Sequence, residues 1–226
     1  MTRAIDERSD EMSAASMLGW LAVMALAAGL VAGFGYAPRE VVQGNVQRIM
    51  YLHLPSILAG YLSFIVAGAA SVAYLVTKRP TWDRCAAAAA EVGVLFAALM
   101  IVSGSIWGRP TWGVWWTWDA RLTSTTVLLL TWVAYLLLRA MVDDPDARAR
   151  FAAVVGILGV AQIPIVHLSV RWWRTLHQPS TILGPGPPTI DSAFKLPLAV
   201  NAVAFTLLFA YFLTRRMEIA RLEEEA

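Results

Sequence analysis

The apolar residues of this chain come in long continuous blocks, not at the spacings of two or 3.6 residues that mark half-buried strands and helices. Six blocks reach the roughly 20 helical residues that a hydrocarbon core of about 30 Å requires. Because backbone polar groups cannot stay unpaired in lipid, each block is predicted to be a helix. The predicted spans are Met17–Tyr36, Leu54–Val76, Cys85–Ile106, Leu122–Leu138, Phe151–Val170 and Leu196–Leu213.

The composition agrees with this pattern. Hydrophobic residues make up 58% of the 226 residues and charged residues only 15%, whereas soluble domains carry about 25% charged residues. The sequence therefore predicts an all-α integral membrane protein whose six transmembrane helices form one domain, residues 1–226. A net charge of +2 without a Lys/Arg run argues against nucleic-acid binding. Cys85 is the single cysteine, which excludes an internal disulfide and the Cys-x-x-Cys-His heme attachment sequence.

The distribution of Lys and Arg predicts the orientation of the helices. Of the 18 basic residues, 11 fall on the side that holds both termini and 7 on the other side. Cytoplasmic segments carry the excess of basic residues in membrane proteins. Both termini are therefore predicted to be cytoplasmic, and the seven basic residues on the outer side call for another role.

Histidine and tryptophan concentrate on that outer side. All three histidines, His53, His167 and His177, fall there. Seven tryptophans do so too, against two near the other face and one within a span: Trp107, Trp112, Trp115, Trp116, Trp118, Trp172 and Trp173. An aromatic belt is the plain alternative, but a belt occupies both membrane interfaces. The asymmetry indicates a binding surface.

The densest part of this surface is residues 107–123, WGRPTWGVWWTWDARLT. If its centre is helical, Trp112, Trp115, Trp116 and Asp119 share one face. The segment is then an amphipathic piece in the outer loop, lying along the membrane interface. A flat aromatic surface suits a flat macrocycle, and a guanidinium such as that of Arg121 suits the carboxylates of such a ligand.

This segment resembles the tryptophan-rich WWD signature of heme-handling membrane proteins. Within that group, the six-span layout resembles the heme exporter protein C (CcmC) family of cytochrome c biogenesis. Two further stretches match, RIMYLHLP at Arg48–Pro55 and IPIVHLSVRWWRTLHQPS at Ile163–Ser180. With the span pattern, the resemblance covers nearly the whole chain.

The resemblance implies a set of site residues. It implies that heme b is held non-covalently, with His53 and His177 as axial ligands of the iron. Tryptophans of the WWD segment would contact the macrocycle: Trp107, Trp112, Trp115, Trp116 and Trp118. Arg48 and Arg121 are the expected partners of the heme propionates. Asp119 is expected to orient Arg121 or a tryptophan N–H.

The resemblance also implies a role in a complex of the bacterial inner membrane. The chain would present heme on the periplasmic face for attachment to a periplasmic heme chaperone. Its expected partners are the subunits of an ABC-type transporter and a small membrane subunit. Because the chain has no GxxxxGK[ST] phosphate loop, the ATPase must be a separate chain. No independent catalytic activity is expected, and the alternatives are a cytochrome c heme lyase and a transmembrane heme transporter.

The sequence leaves the roles of two residues and one short segment undecided. His167 is expected to be a polar residue facing the bundle and not an iron ligand. Glu91 lies inside the third span. It either has a functional role, or it contacts a partner helix or reaches the cytoplasmic interface. Gly184–Pro188 (GPGPP) either stiffens the last outer loop so that His177 is held in place, or forms a plain turn.

Overall fold

Six long helices form a single bundle. The structure, a computed structural model, describes residues 2–179 and 189–225; Gly184–Pro188 lie outside these ranges. A π-helical turn, Val31–Tyr36, continues the first helix, and a 3-10 turn, Val46–Ile49, leads into the second. The helices are α1 (Thr2–Leu30), α2 (Met50–Thr77), α3 (Pro80–Trp112), α4 (Ala120–Met141), α5 (Pro145–Trp172) and α6 (Ser192–Glu225).

The prediction of an all-helical membrane protein is confirmed. All six helices are long and apolar enough to cross a membrane, and they follow the order of the predicted spans. The described residues contain no strand, only an isolated bridge between Glu40 and Gly44. We call the end of the bundle that carries His53, His167 and His177 the histidine end.

The condition for an amphipathic piece, a helical centre of the WWD segment, is not met. Trp107 and Trp112 belong to the last turns of α3, which extends beyond the predicted end at Ile106. The helix stops at Gly113, whose φ of 81° lies in the left-handed region that a glycine adopts without steric cost. Residues 114–119 form no helix, and α4 begins at Ala120. Trp112 therefore does not share a helical face with Trp115 and Trp116.

α2 is the centre of the bundle, because it packs on α3, α5 and α6. Its Phe64 ring stacks on Trp132 of α4, with ring centroids 4.5 Å apart and an interplanar angle of 3°. Trp132 and Tyr135 are fully buried beside this stack. A Cβ at Gly159 would lie 2.8 Å from the Trp132 ring, so glycine is what lets α5 approach α4 here.

α1 lies at the edge of the bundle and packs mainly on α6. Its glycines make the contact possible, since a Cβ at Gly29 would lie 2.6 Å from Oδ1 of Asn201 and one at Gly19 would lie 2.8 Å from the Tyr211 ring. The Asn201 side-chain amide donates to the Gly29 carbonyl at 2.8 Å. A hydrogen bond between helices of this kind stabilises a bundle in lipid by about 1 kcal/mol.

Ion pairs join the helices at the end opposite the histidines. Arg139 of α4 donates to both carboxylate oxygens of Asp83 on α3, at 2.6 and 2.8 Å. Glu91 of α3 pairs with Arg216 of α6. Of the alternatives left open for Glu91, the structure therefore provides the partner helix.

Candidate functional site

A cavity of about 590 Å³ opens at the histidine end. Its walls come from α2, α3, α4, α5 and α6 and from the segments that connect them. Small-molecule sites typically enclose about 300–1,000 Å³ and are mostly apolar with a few polar groups. This cavity has that size and character, so it is the candidate site for a ligand of substantial size.

Five of the ten residues singled out from the sequence line this cavity. They come from three helices and one loop: His53, Trp107, Trp112, Arg121 and His177. A smaller space of about 30 Å³ adjoins it, and His53, Arg121 and His177 line both spaces. The structure therefore brings together two imidazoles that lie more than 120 residues apart in the chain.

The His53 ring is held in one orientation by α3. Its Nδ1 lies 3.0 Å from the Met100 carbonyl and 3.1 Å from Oγ of Ser103. A carbonyl only accepts, so Nδ1 must carry the proton and donate. The lone pair of the ring then lies on Nε2, the arrangement that metal-binding histidines commonly use. Gly104 supports the ring, since a Cβ there would lie 2.9 Å from Cε1 of His53.

His177 is held differently, on the loop after α5. Its ring lies against Trp112, with centroids 4.8 Å apart. Burial lowers the pKa of His177 to about 4, and the positive charge of Arg121 acts in the same direction while Asp119 opposes it. The imidazole is therefore neutral near pH 7. Within the described part of the chain, its buried Nδ1 has no hydrogen-bond partner.

Asp119 fixes the backbone just before His177. Its Oδ2 accepts from the Thr175 hydroxyl at 2.6 Å and from the Leu176 amide at 2.9 Å. Its Oδ1 accepts from the Leu122 amide at 2.9 Å and so caps α4. Burial acts to raise the pKa of the Asp119 carboxyl, but these three hydrogen bonds together lower it below its usual value. These partners replace the expected ones, which were Arg121 or a tryptophan N–H.

Two cationic side chains line the cavity, Arg121 and Lys195. Arg121 donates through Nη1 to the carbonyls of Val166 and His167, which ties α4 to α5. Lys195 lies in the first turn of α6 and was not singled out from the sequence. A signal for it exists, because Lys195, Leu198 and Ala202 have the i, i+3, i+7 spacing of one helical face.

Arg48, expected at the same site, is not among the residues that line the cavity. Its guanidinium donates to the carbonyl of Phe34 and, at 3.0 Å, to that of Ala37. These carbonyls lie where the π-helical turn at the end of α1 stops. The last carbonyls of a helix lack partners within the helix, and Arg48 satisfies two of them.

The WWD tryptophans divide into two groups. Trp107 and Trp112 line the cavity, and Nε1 of Trp107 donates to the side-chain carbonyl of Gln43 at 2.8 Å. Trp115 and Trp118 are 60% and 73% exposed, and the half-buried Trp116 packs edge-on against Trp118. These three do not line the cavity. His167, by contrast, does line it.

These features define a class: six-helix membrane proteins with a tryptophan-walled cavity that is lined by three imidazoles and two cations at one end of the bundle. Comparison with known proteins gives the family. The model of the family described as heme exporter protein C (CcmC) matches residues 6–226. The chain belongs to the heme exporter protein C family.

The sequence aligns with those of named relatives over most of their length. Heme exporter protein C of Bradyrhizobium diazoefficiens is 42% identical over 212 residues, which are 92% of this chain and 80% of that protein. Heme exporter protein C of Escherichia coli K12 is 40% identical over 201 residues, 88% of this chain and 81% of that protein. A putative cytochrome c biosynthesis ccmC-like mitochondrial protein of Arabidopsis thaliana is 33% identical over 189 residues, 84% of this chain and 70% of that protein.

Proposed function

We propose that this chain binds heme b non-covalently as its cargo, with the imidazoles of His53 and His177 as the two axial ligands. One observation carries the proposal. The two rings line the same cavity. Nδ1 of His53 donates a hydrogen bond to Met100, so its Nε2 carries the lone pair that can bind a metal. Nδ1 of His177 is buried and has no hydrogen-bond partner among the described residues. Two imidazoles fill both axial positions of a heme iron and leave none for oxygen. Such a site suits holding and transfer, not catalysis.

The other residues of the cavity suit the rest of the heme molecule. Trp107 and Trp112 offer flat apolar surface for the macrocycle. Arg121 and Lys195 offer charge-assisted hydrogen bonds for the two propionates. We assign the propionates to this pair in place of Arg121 and Arg48.

The histidine end is proposed to face the periplasm across the bacterial inner membrane. The excess of basic residues on the side of the termini supports this orientation. The heme would be presented there for attachment to a periplasmic heme chaperone. The family description, heme exporter, supports a role in heme export. We propose that the chain performs this role within an ABC-type transporter, together with a separate ATPase chain and a small membrane subunit. The exposed Trp115 and Trp118 are available on this side for contact with a partner.

The test of the ligand pair is an absorption spectrum of the purified protein. His53→Ala and His177→Ala are expected to lose the low-spin bis-imidazole spectrum. His167→Ala is the matched control, because His167 lines the same cavity and is not a proposed ligand. An unchanged spectrum in the first two variants would exclude the assignment, and loss in His167→Ala alone would transfer one ligand role to His167.

The test of the propionate partners compares heme with heme dimethyl ester, which lacks the carboxylates. Lys195→Gln is expected to weaken heme binding about tenfold, because a charge-assisted hydrogen bond contributes about 1.5–3 kcal/mol. The same substitution should leave the affinity for the ester unchanged. Equal losses for both ligands would show that Lys195 does not meet a carboxylate.

A further inference from the structure

The cavity reaches far below the histidine-end surface, along one face of α2. Met50, Leu54, Ile57 and Tyr61 all line it, and they follow the i, i+4, i+7, i+11 spacing of a single helical face. Eleven residues of α-helix span about 16 Å at 1.5 Å per residue. The lower part of the cavity therefore lies among the membrane-spanning segments and not in the loops.

The cavity also opens sideways. α5 and α6 pack on α2 and, in the described ranges, make no substantial contact with each other. Leu58 of α2 lines the cavity and is nevertheless 43% exposed, and Ala199 of α6 lines it and is exposed as well. We call this opening the α5/α6 slot: Leu58 forms its floor, Ala199 and Ala202 its α6 side and His167 its α5 side.

The bundle is closed below the cavity. Phe64 follows Tyr61 by one turn of α2, and its ring stacks on Trp132 at 4.5 Å. Trp132 and Tyr135 have no exposed surface. Beyond them lie the ion pairs of Asp83 with Arg139 and of Glu91 with Arg216. These side chains fill the bundle between the cavity and the opposite end.

The polarity of the slot matches that of an amphipathic ligand lying in a membrane. Its deeper part is lined by the small and apolar side chains Leu58, Ala199 and Ala202, whereas Lys195 stands in the first turn of α6, toward the histidine-end surface. A dianionic macrocycle in a lipid leaflet keeps its ring among the acyl chains and its carboxylates in the headgroup region. It would meet the slot in that same orientation.

We infer that the cavity receives its cargo sideways, from the lipid leaflet at the histidine end, through the α5/α6 slot. This inference rests on heme as the cargo. The ring passes between α5 and α6 over Leu58 without leaving an apolar environment. Lys195 receives the carboxylates at the water-facing end of the slot, and His53 and His177 lie further inside.

The test measures the rate of heme uptake by the protein in lipid nanodiscs whose lipid has been pre-equilibrated with heme. Ala199→Trp and Leu58→Trp narrow the mouth and are expected to slow the appearance of the low-spin spectrum about tenfold or more, since overpacking costs about 1–3 kcal/mol. Leu58→Ala widens the mouth and is expected to accelerate it. Val203→Trp is the matched control, because Val203 is 57% exposed on α6 and does not line the cavity.

The outcomes separate this inference from the proposed function. Slower uptake in the narrowed variants, faster uptake in Leu58→Ala and an unchanged final spectrum would support lateral uptake. Wild-type rates in Ala199→Trp and Leu58→Ala, with the final spectrum intact, would overturn the slot and leave heme binding in place. A wild-type protein that never shows the low-spin spectrum would overturn both.

Discussion

Replacing Gly104 with alanine is expected to weaken heme binding about tenfold while lowering the stability of the fold by no more than about 2 kcal/mol. Gly104 is part of α3 and lies behind the His53 ring. A Cβ built there would be 2.9 Å from Cε1 of that ring, closer than real Cβ atoms come to other heavy atoms. Because Gly104 is inside a helix, its backbone cannot move away easily, so the imidazole must shift.

The size of the shift follows from the contacts. Ordinary van der Waals contact begins at 3.4 Å, so the ring must retreat by the difference from 2.9 Å, 0.5 Å. Retreat from α3 also lengthens the hydrogen bond from Nδ1 of His53 to the Met100 carbonyl, from 3.0 Å toward 3.5 Å. A bond of that length is lost or nearly so. Losing a buried hydrogen bond costs about 1–3 kcal/mol, and 1.4 kcal/mol corresponds to a tenfold change in affinity.

The fold should change less, because alanine is favoured over glycine inside a helix by about 1 kcal/mol, and this gain offsets part of the cost of the lost hydrogen bond. Gly60→Ala is the matched control, because a Cβ at Gly60 meets its nearest neighbours at 3.6 Å or more. Heme titration followed by absorption gives the affinity, and thermal unfolding of the heme-free protein gives the stability. If Gly104→Ala bound heme as tightly as Gly60→Ala, the Gly104 support of His53 would have no bearing on the site.

Two further substitutions probe the parts of the bundle on either side of the cavity. Asp119→Asn replaces an oxygen that accepts two hydrogen bonds before His177, so heme affinity should fall about tenfold; unchanged heme content and handover would argue against a positioning role. Asp83→Asn breaks the two-point contact with Arg139 and should lower the free energy of unfolding by about 2 kcal/mol, measured by thermal unfolding, with no change in the heme spectrum. A shifted spectrum in Asp83→Asn would mean that the two ends of the bundle are coupled.

The number and order of the helices could be predicted because long apolar blocks have one stable form in lipid. Helix ends could not, because they depend on contacts outside the lipid. α6 continues to Glu225 with the help of ion pairs along and between helices, such as Arg215 with Glu218 and Arg84 with Glu224. α3 continues to Trp112 and stops only where Gly113 takes a left-handed conformation. Tryptophan spacing carries no sign of that stop.

Within the cavity, the sequence indicated the histidines but only one of the two cations. The resemblance to a known family pointed to His53 and His177, which line the cavity together. Arg48 lies only five residues before His53, yet the carbonyls at the end of α1 bind its guanidinium. Lys195 reaches the cavity because α6 packs on α2 with this face inward. Both outcomes depend on how distant helices pack, and local sequence does not encode that directly.

The two imidazoles differ in how firmly the protein holds them, and this difference has a kinetic consequence. His53 is part of a helix, and the Met100 carbonyl fixes its ring. His177 is on a loop, where hydrogen bonds through Thr175 and Asp119 fix its backbone, while its ring is held by packing against Trp112. Under the proposed function, in which the chain binds heme and then transfers it, this asymmetry sets an order of events. In the proposed site, the bond between the iron and His177 is the one expected to exchange first with a ligand from an acceptor protein. The dissociation rate of that single bond should then determine how long heme stays bound to this chain.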